Sequence, residues 1–262
     1  MPTTYTHDIF GKDIFKRLSN PLKQVIRQGK GLYRIGLHGP DIFFYYRPIE
    51  KNTVNQTGHK MHSEIAAPFF ERGIREFKVN PSDQLAAYLL GFACHYMLDS
   101  TCHGYIGQFE RKTGVSHAEI ETELDRYFME REGKELFSYL PASVLEPTEG
   151  NCRVIARMFP HIKWKHIQKT IKSQKNYDKL LTCKSDWKEK VVLGGMKVLR
   201  CYDSLEGQVI RKKKNPVCEE STEHLIGLYR TALEETPKVL ENLYNCMYGE
   251  DALSERFDRD YH

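Results

Sequence analysis

The stretch Gly91-Phe-Ala-Cys-His-Tyr-Met-Leu-Asp-Ser-Thr-Cys-His103 sets metal-ligand side chains four residues apart inside an otherwise apolar run. On a helix, His95 and Asp99 differ by roughly 40° around the axis and project from one face. His103 is a further four residues along and stays close, on the same helix or just past its end. Ser116-His117-Ala-Glu-Ile-Glu121 repeats the spacing at His117 and Glu121, and Ser116 with Glu119 has the pattern of a capping box opening a second helix. Five potential ligands thus fall within 27 residues. Imidazole combined with carboxylate suits zinc or a related divalent ion, where an all-oxygen set would suit calcium or magnesium.

Working outward, Leu85, Leu89, Phe92 and Tyr96 form the apolar stripe of this helix, beside which His95 and Asp99 point inward. Asn80-Pro81 supplies an N-cap followed by proline at the first helical position. Met61, Ile65, Phe69, Ile74 and Phe77 predict a helix over 61–77 that begins at His62. Residues 29–60, rich in Gly, Pro and Asn, read as a long loop lining or covering a site, with Phe43-Phe-Tyr-Tyr46 near its middle. Residues 8–28 have a helical period broken at Asn20-Pro21, hence two helices, with His7 at the entrance of the first. Downstream, helices are expected near 116–138, 151–159, 163–176, 184–202 and 221–248, the last kinked at Pro237. The charged tail 249–262 is expected to fray.

No sustained period-two alternation, repeat or low-complexity tract occurs, so the expected fold is all-α: a multi-helix bundle forming one domain over 1–262. The balance of 39 basic against 35 acidic residues, a net +4, demands no nucleic-acid partner. The run Arg211-Lys-Lys-Lys214 reads as a solvated loop. No window resembles a membrane span or signal peptide, so a cytoplasmic protein without stable membrane insertion is expected. Seven cysteines, odd in number and with no CxxC pair, argue against a disulfide framework; Cys94 and Cys102 alternate with the ligand face and read as small buried residues.

Seven of the eleven histidines lie at positions 7, 38, 59, 62, 95, 103 and 117. One HxxxD pair is weak, because four-residue spacing is common by chance, and an exposed pair or a satisfied core imidazole explains most cases. Two such pairs with further histidines make a stronger case for a metal site.

The order Thr6-His7, Gly39-Pro-Asp41, Gly58-His-Lys-Met-His62, His95-xxx-Asp99, His103, His117-xxx-Glu121 resembles the zinc-dependent phospholipase C family, bacterial enzymes that cleave phosphatidylcholine, and the related fungal single-strand nucleases. The resemblance covers about residues 3–130 in motifs, and extends to 248 in helical layout. It implies one zinc held by Asp41, His62, His95 and Asp99, with Asp99 bridging to an ion shared with His7. A third ion would be held by His103, His117 and Glu121, giving two to three zinc ions. Such a cluster clamps phosphodiester oxygens, lowers the pKa of a bound water and stabilises the leaving alkoxide. Asp41 is the candidate to orient or deprotonate that water.

Departures matter as much. Secreted members begin with a tryptophan that ligates the ion of the early histidine, whereas the first tryptophan here is Trp164. Loss of Met1 would leave Pro2, whose amine is one substitute; His38 is another. The Asp99 to His103 step is shorter than the family's. His59 and His62 compete for one ligand position, His62 being preferred. Ile42 stands where phosphatidylcholine-cleaving members carry an aromatic residue, so a choline preference does not follow, and the β-sandwich with which toxin members dock on membranes is missing from this sequence. The expected substrate is a phospholipid or small phosphoester, with no protein partner inferred. The rivals are a nuclease or 3′-nucleotidase, which would need a base-stacking pocket, and a non-catalytic metal-stabilised helical scaffold with closed coordination.

Overall fold

Helix α6, Asp83–Thr113, is the axis of the molecule. The Ser82 hydroxyl accepts the Leu85 amide at 3.3 Å to start it, and Gly114, at φ +74°, ends it. From Leu85 to Asp99 every residue is buried, so this helix shows no polar face along that stretch and is wrapped on all sides. The computed structural model describes residues 4–262, which contain twelve α-helices and no strand.

Around α6 pack α1 (Thr4–Arg17), α2 (Asn20–Gln28), α3 (Lys30–Gly36), α5 (Ala67–Val79), α7 (His117–Arg131), α8 (Glu149–Met158) and the 31-residue α12 (Cys218–Tyr248). The α3 and α6 backbones nearly touch: a Cβ on Gly36 would lie 2.4 Å from the Tyr88 carbonyl oxygen, and one on Gly91 would lie 2.2 Å from that of Tyr33. Only glycine allows this approach. It fixes where the chain leaves α3 and enters the site. The core runs continuously from Tyr5 to Tyr261. A small satellite core of Cys183, Met196 and Val209 lies beneath α10 (Asp186–Val198) and α11 (Tyr202–Leu205), beside α9 (Trp164–Leu181).

Four expectations need correction. Residues 29–60 are mostly helical: α3, a 3-10 segment Gly39–Tyr45, and α4 (Thr53–His62), the last opened by an Asn52/Asn55 capping box. Glycine, proline and asparagine here serve as caps and close-approach residues, a role that composition does not separate from looping. Second, His62 ends α4 and does not begin the helix predicted over 61–77; that helix starts at Ala67. Third, Asn80 caps the end of α5, and Ser82, beyond Pro81, caps the start of α6.

Fourth, residues 249–262 pack where fraying was expected. Phe257 and Tyr261 are buried. Tyr96 donates to the Arg256 carbonyl at 2.7 Å, the Ala66 amide donates to the Arg259 carbonyl, and the Arg256 guanidinium donates to Ser100 at 2.9 Å. The Asn20-Pro21 break, the free cysteines and the buried Cys94 and Cys102 match the sequence reading. The run from Arg211 is exposed at its lysines, but it is tethered by Arg211 to Glu189 and Glu206 and by Lys214 to Glu130.

Candidate metal centre

Five chain segments deliver the site, one of them the end of α4, which carries His62. From α6 come His95, Asp99 and His103, 0, 3 and 8 % exposed. Four-residue steps along one uninterrupted helix place all three along one side. His7 comes from the first turns of α1, where the buried Asp125 carboxylate accepts the Tyr5 amide at 3.1 Å, the Thr6 amide at 2.7 Å and the Thr6 hydroxyl at 2.6 Å. Burial pushes Asp125 up to about 6 despite these donors. Asp41 sits on the 3-10 segment, reached through Gly39. At φ +48°, with its Cβ position 2.1 Å from the His95 ring, that residue must be glycine. His117 and Glu121 open α7, capped by Ser116 at the Glu119 amide.

The side chains converge. His7 Nε2 is 3.2 Å from Asp99 Oδ1, and His95 Nε2 is 3.0 Å from Asp99 Oδ2. His62 Nε2 is 3.0 Å from Asp41 Oδ1 and 3.7 Å from Asp99 Oδ2, while its Nδ1 faces the Gly58 carbonyl at 2.8 Å, so that its Nε2 is the atom presented to the carboxylates. His117 Nε2 lies 3.0 Å, and His103 Nε2 3.5 Å, from Glu121 Oε1. Two groups have ligand atoms mutually within 4.8 Å: His7, Asp41, His95 and Asp99, and separately His103, His117 and Glu121. His62 adjoins the first through Asp41. His103 and Asp99, 3.6 Å apart, connect the two.

Burying this many ionisable groups is costly unless something pairs them. Within the protein the pairing is incomplete. His95 Nε2 and Asp99 Oδ2, although 3.0 Å apart, and Asp41 Oδ2 and Glu121 Oε2 are buried without a well-formed hydrogen bond. Carboxylate oxygens and imidazole nitrogens left open and facing one another are the donor set that divalent zinc accepts, so the residues fit the ion.

The electrostatics agree. Burial alone would raise Asp99 and Glu121, but the surrounding imidazoles outweigh it and hold both carboxyls below the usual carboxylate range; Asp41 is lowered likewise by His95 and His62. In the metal-free state burial disfavours the imidazolium of His62, yet Asp41 and Asp99 overcome this and push it up to about 10; His7 and His117 are raised in the same way by Asp99 and Glu121. Anionic ligands are therefore ready at neutral pH, and an incoming cation displaces protons from imidazoles.

A cleft of about 580 Å³ reaches all of the second group and, of the first, Asp41, with His62 beside it; Phe44, His59, Leu205 and His262 also border it. Of the four aromatics at 43–46 only Phe44 borders it, stacked 4.6 Å from His59 and 5.4 Å from His62, whereas Phe43 and Tyr45 are core. His59 stands exposed at the rim. His38 is buried, pushed down to about 3 by burial and by His7 and His95, but its nitrogens are not among the converging ligand atoms. Pro2, the other substitute for a terminal tryptophan, lies outside the described residues.

Sequence reasoning missed two residues. The Tyr261 ring lies 4.9 Å from that of His62 and 6.0 Å from that of His95, and His262 lies 5.6 Å from His103. The four-residue step from Phe257 to Tyr261 was the available signal, masked by the charges between them.

An all-helical chain with two histidine–carboxylate groups that could hold metal, bordering one cleft, is of the class of helical proteins with a candidate metal centre. The profile of the zinc dependent phospholipase C family matches residues 6–191, and the chain belongs to that family. No curated protein and no solved structure matches it.

Proposed function

We propose that this protein is a zinc-dependent phosphoesterase that hydrolyses a phospholipid or a small phosphoester with a metal-activated water. The observation that carries the reading is the pair of open-valenced histidine–carboxylate groups reached from one accessible cleft, the first through Asp41 and the second directly. His7, Asp41, His62, His95 and Asp99 would hold one or two ions, and His103, His117 and Glu121 another, for two to three in all. Bound zinc would supply Lewis acidity toward phosphoryl oxygens and a lowered water pKa. Asp41, beside His62 and bordering the cleft, orients the attacking water and accepts its proton. His62 is fixed through Gly58, and His7 through the Asp125 clasp on the α1 terminus.

The open cleft favours catalysis over a closed structural centre. A single aromatic at the rim, Phe44, offers little of the stacking platform that single-strand cleavage needs. The test is hydrolysis of bis-p-nitrophenyl phosphate by protein stripped with chelator and reconstituted with zinc. Restored turnover, lost in Asp41→Asn, supports the reading. Zinc uptake with no turnover on that substrate, on phospholipid or on 3′-nucleotides would favour the scaffold.

A further inference from the structure

Helix α10 presents an apolar stripe to water. Trp187, Val191 and Val198 are 73, 51 and 83 % exposed and fall within about 40° of one another on the helix. The opposite side is already used: Met196 is buried in the satellite core, and Val192 and Leu193 pack against it. The helix is thus apolar on two sides, one with no covering among the described residues. Leu199, just past the end of the helix, is also 66 % exposed.

The charges around this stripe are predominantly positive. Residues 184–200 carry Lys184, Lys188, Lys190, Lys197 and Arg200 against Asp186 and Glu189. Both acids are occupied, Asp186 by Lys212 and Glu189 by Arg211. Exposed Lys190 and Lys197 run along one border of the stripe, roughly 60–80° from Trp187, whereas Lys188 on the other side turns its ammonium onto the Lys179 and Thr182 carbonyls, each at 2.7 Å. A solvent-facing stripe led by tryptophan and bordered by lysines is the pattern of a helix lying in a membrane interface. There the indole and valines enter the headgroup boundary while the ammonium groups meet anionic lipid.

This surface also adjoins the cleft. Leu205, shortly after α10, borders the cleft beside His117 and Glu121. The turn that follows packs so tightly on the start of α7 that a Cβ on Gly207 would lie 2.6 Å from the Ser116 hydroxyl. We infer that α10 is a docking surface for anionic phospholipid membranes, and that it sets the cleft mouth beside the lipid headgroups. The inference rests on the phosphoesterase reading and sharpens it toward a membrane lipid as substrate.

The test is vesicle co-sedimentation of the full chain with phosphatidylcholine alone and with phosphatidylcholine containing phosphatidylserine, in low and high salt. Trp187 fluorescence is followed in parallel in a Trp164→Phe protein, where it is the one tryptophan left. Expected are at least about ten-fold tighter partition onto the anionic vesicles, a blue-shifted Trp187 emission, and weakening by salt. Trp187→Ser with Val198→Ser, and separately Lys190→Glu with Lys197→Glu, should each lower partition about ten-fold or more while hydrolysis of bis-p-nitrophenyl phosphate and thermal stability stay unchanged. Wild-type protein that ignores anionic vesicles, or variants that bind as well as wild type, would overturn the proposal. So would a wild-type dimer that the Trp187 substitution dissociates, which would make the stripe a contact between copies. Asp99→Asn protein should still bind vesicles. Vesicle binding without any phosphoester turnover would therefore overturn the catalytic reading and leave the docking surface standing.

Discussion

The metal centre and the α10 segment break the ordinary rule of burial in opposite directions. Around α6, carboxylates and imidazoles are buried with open valences, among side chains that would otherwise make a plain hydrophobic core. On α10, tryptophan and valines face water while a thin core of three buried residues holds the helix down. Each arrangement is costly by itself. A cation would relieve the first and an apolar surface from outside the second, so the two departures point to two different partners.

The largest effect should come from Asp99→Asn. This carboxylate faces His7, His62, His95 and His103, and its loss leaves imidazoles from both ligand groups without a shared anion. Turnover of bis-p-nitrophenyl phosphate is expected to fall by more than the roughly 100-fold typical of losing an outer-shell partner. Activity within a few-fold of wild type would break the contrast, because the centre would then be ordinary buried polarity. Tyr261→Ala removes a buried ring packed on His62 and Tyr96 and should cost about 3 kcal/mol in urea unfolding, with zinc affinity lowered as well. A change under about 1 kcal/mol would return residues 249–262 to the fraying tail expected from composition.

Those two variants separate what the sequence disclosed from what it hid. The all-helical class was legible because period-two patterning is missing while apolar residues recur at helical spacing. The convergence of His95, Asp99, His103, His117 and Glu121 was legible because they are local, spaced four apart on two helices. His7, Asp41 and His62 come from three further segments, and nothing in local spacing says that they meet; resemblance to a family pattern supplied them. Tyr261 and His262 were hidden because long-range packing, which places them, leaves only the Phe257 to Tyr261 step as a trace. The region 29–60 was misread because Gly36 and Gly39 serve helix contact and ring contact, functions that the residue type shares with looping.

Protonation sharpens the contrast further. The His62 imidazole is raised from 6.5 to about 10 in the metal-free fold, so its stabilising contribution is fully present below pH 6.5 and is lost as pH rises through about 10. Zinc must displace that proton, so its affinity moves the opposite way. Chelator competition at two pH values should show affinity rising by up to about ten-fold per pH unit for each proton released, while the melting temperature of the stripped protein drifts down. A pH-independent affinity would mean that the ion does not displace the His62 proton. The smallest effect belongs to α10: Trp187→Ser should alter stability by no more than about 0.5 kcal/mol, because a side chain 73 % exposed holds little of the fold. A larger loss in urea unfolding would show the stripe to be structural.

The central claim is that the paired ligand groups exist to hold metal. It is tested most directly by the zinc content per chain, measured by plasma mass spectrometry, of protein purified without chelator, as wild type and as Asp99→Asn. The account predicts two to three zinc ions in the wild type and fewer in the variant. A wild type carrying no divalent ion, and taking up none when zinc is supplied, would contradict it.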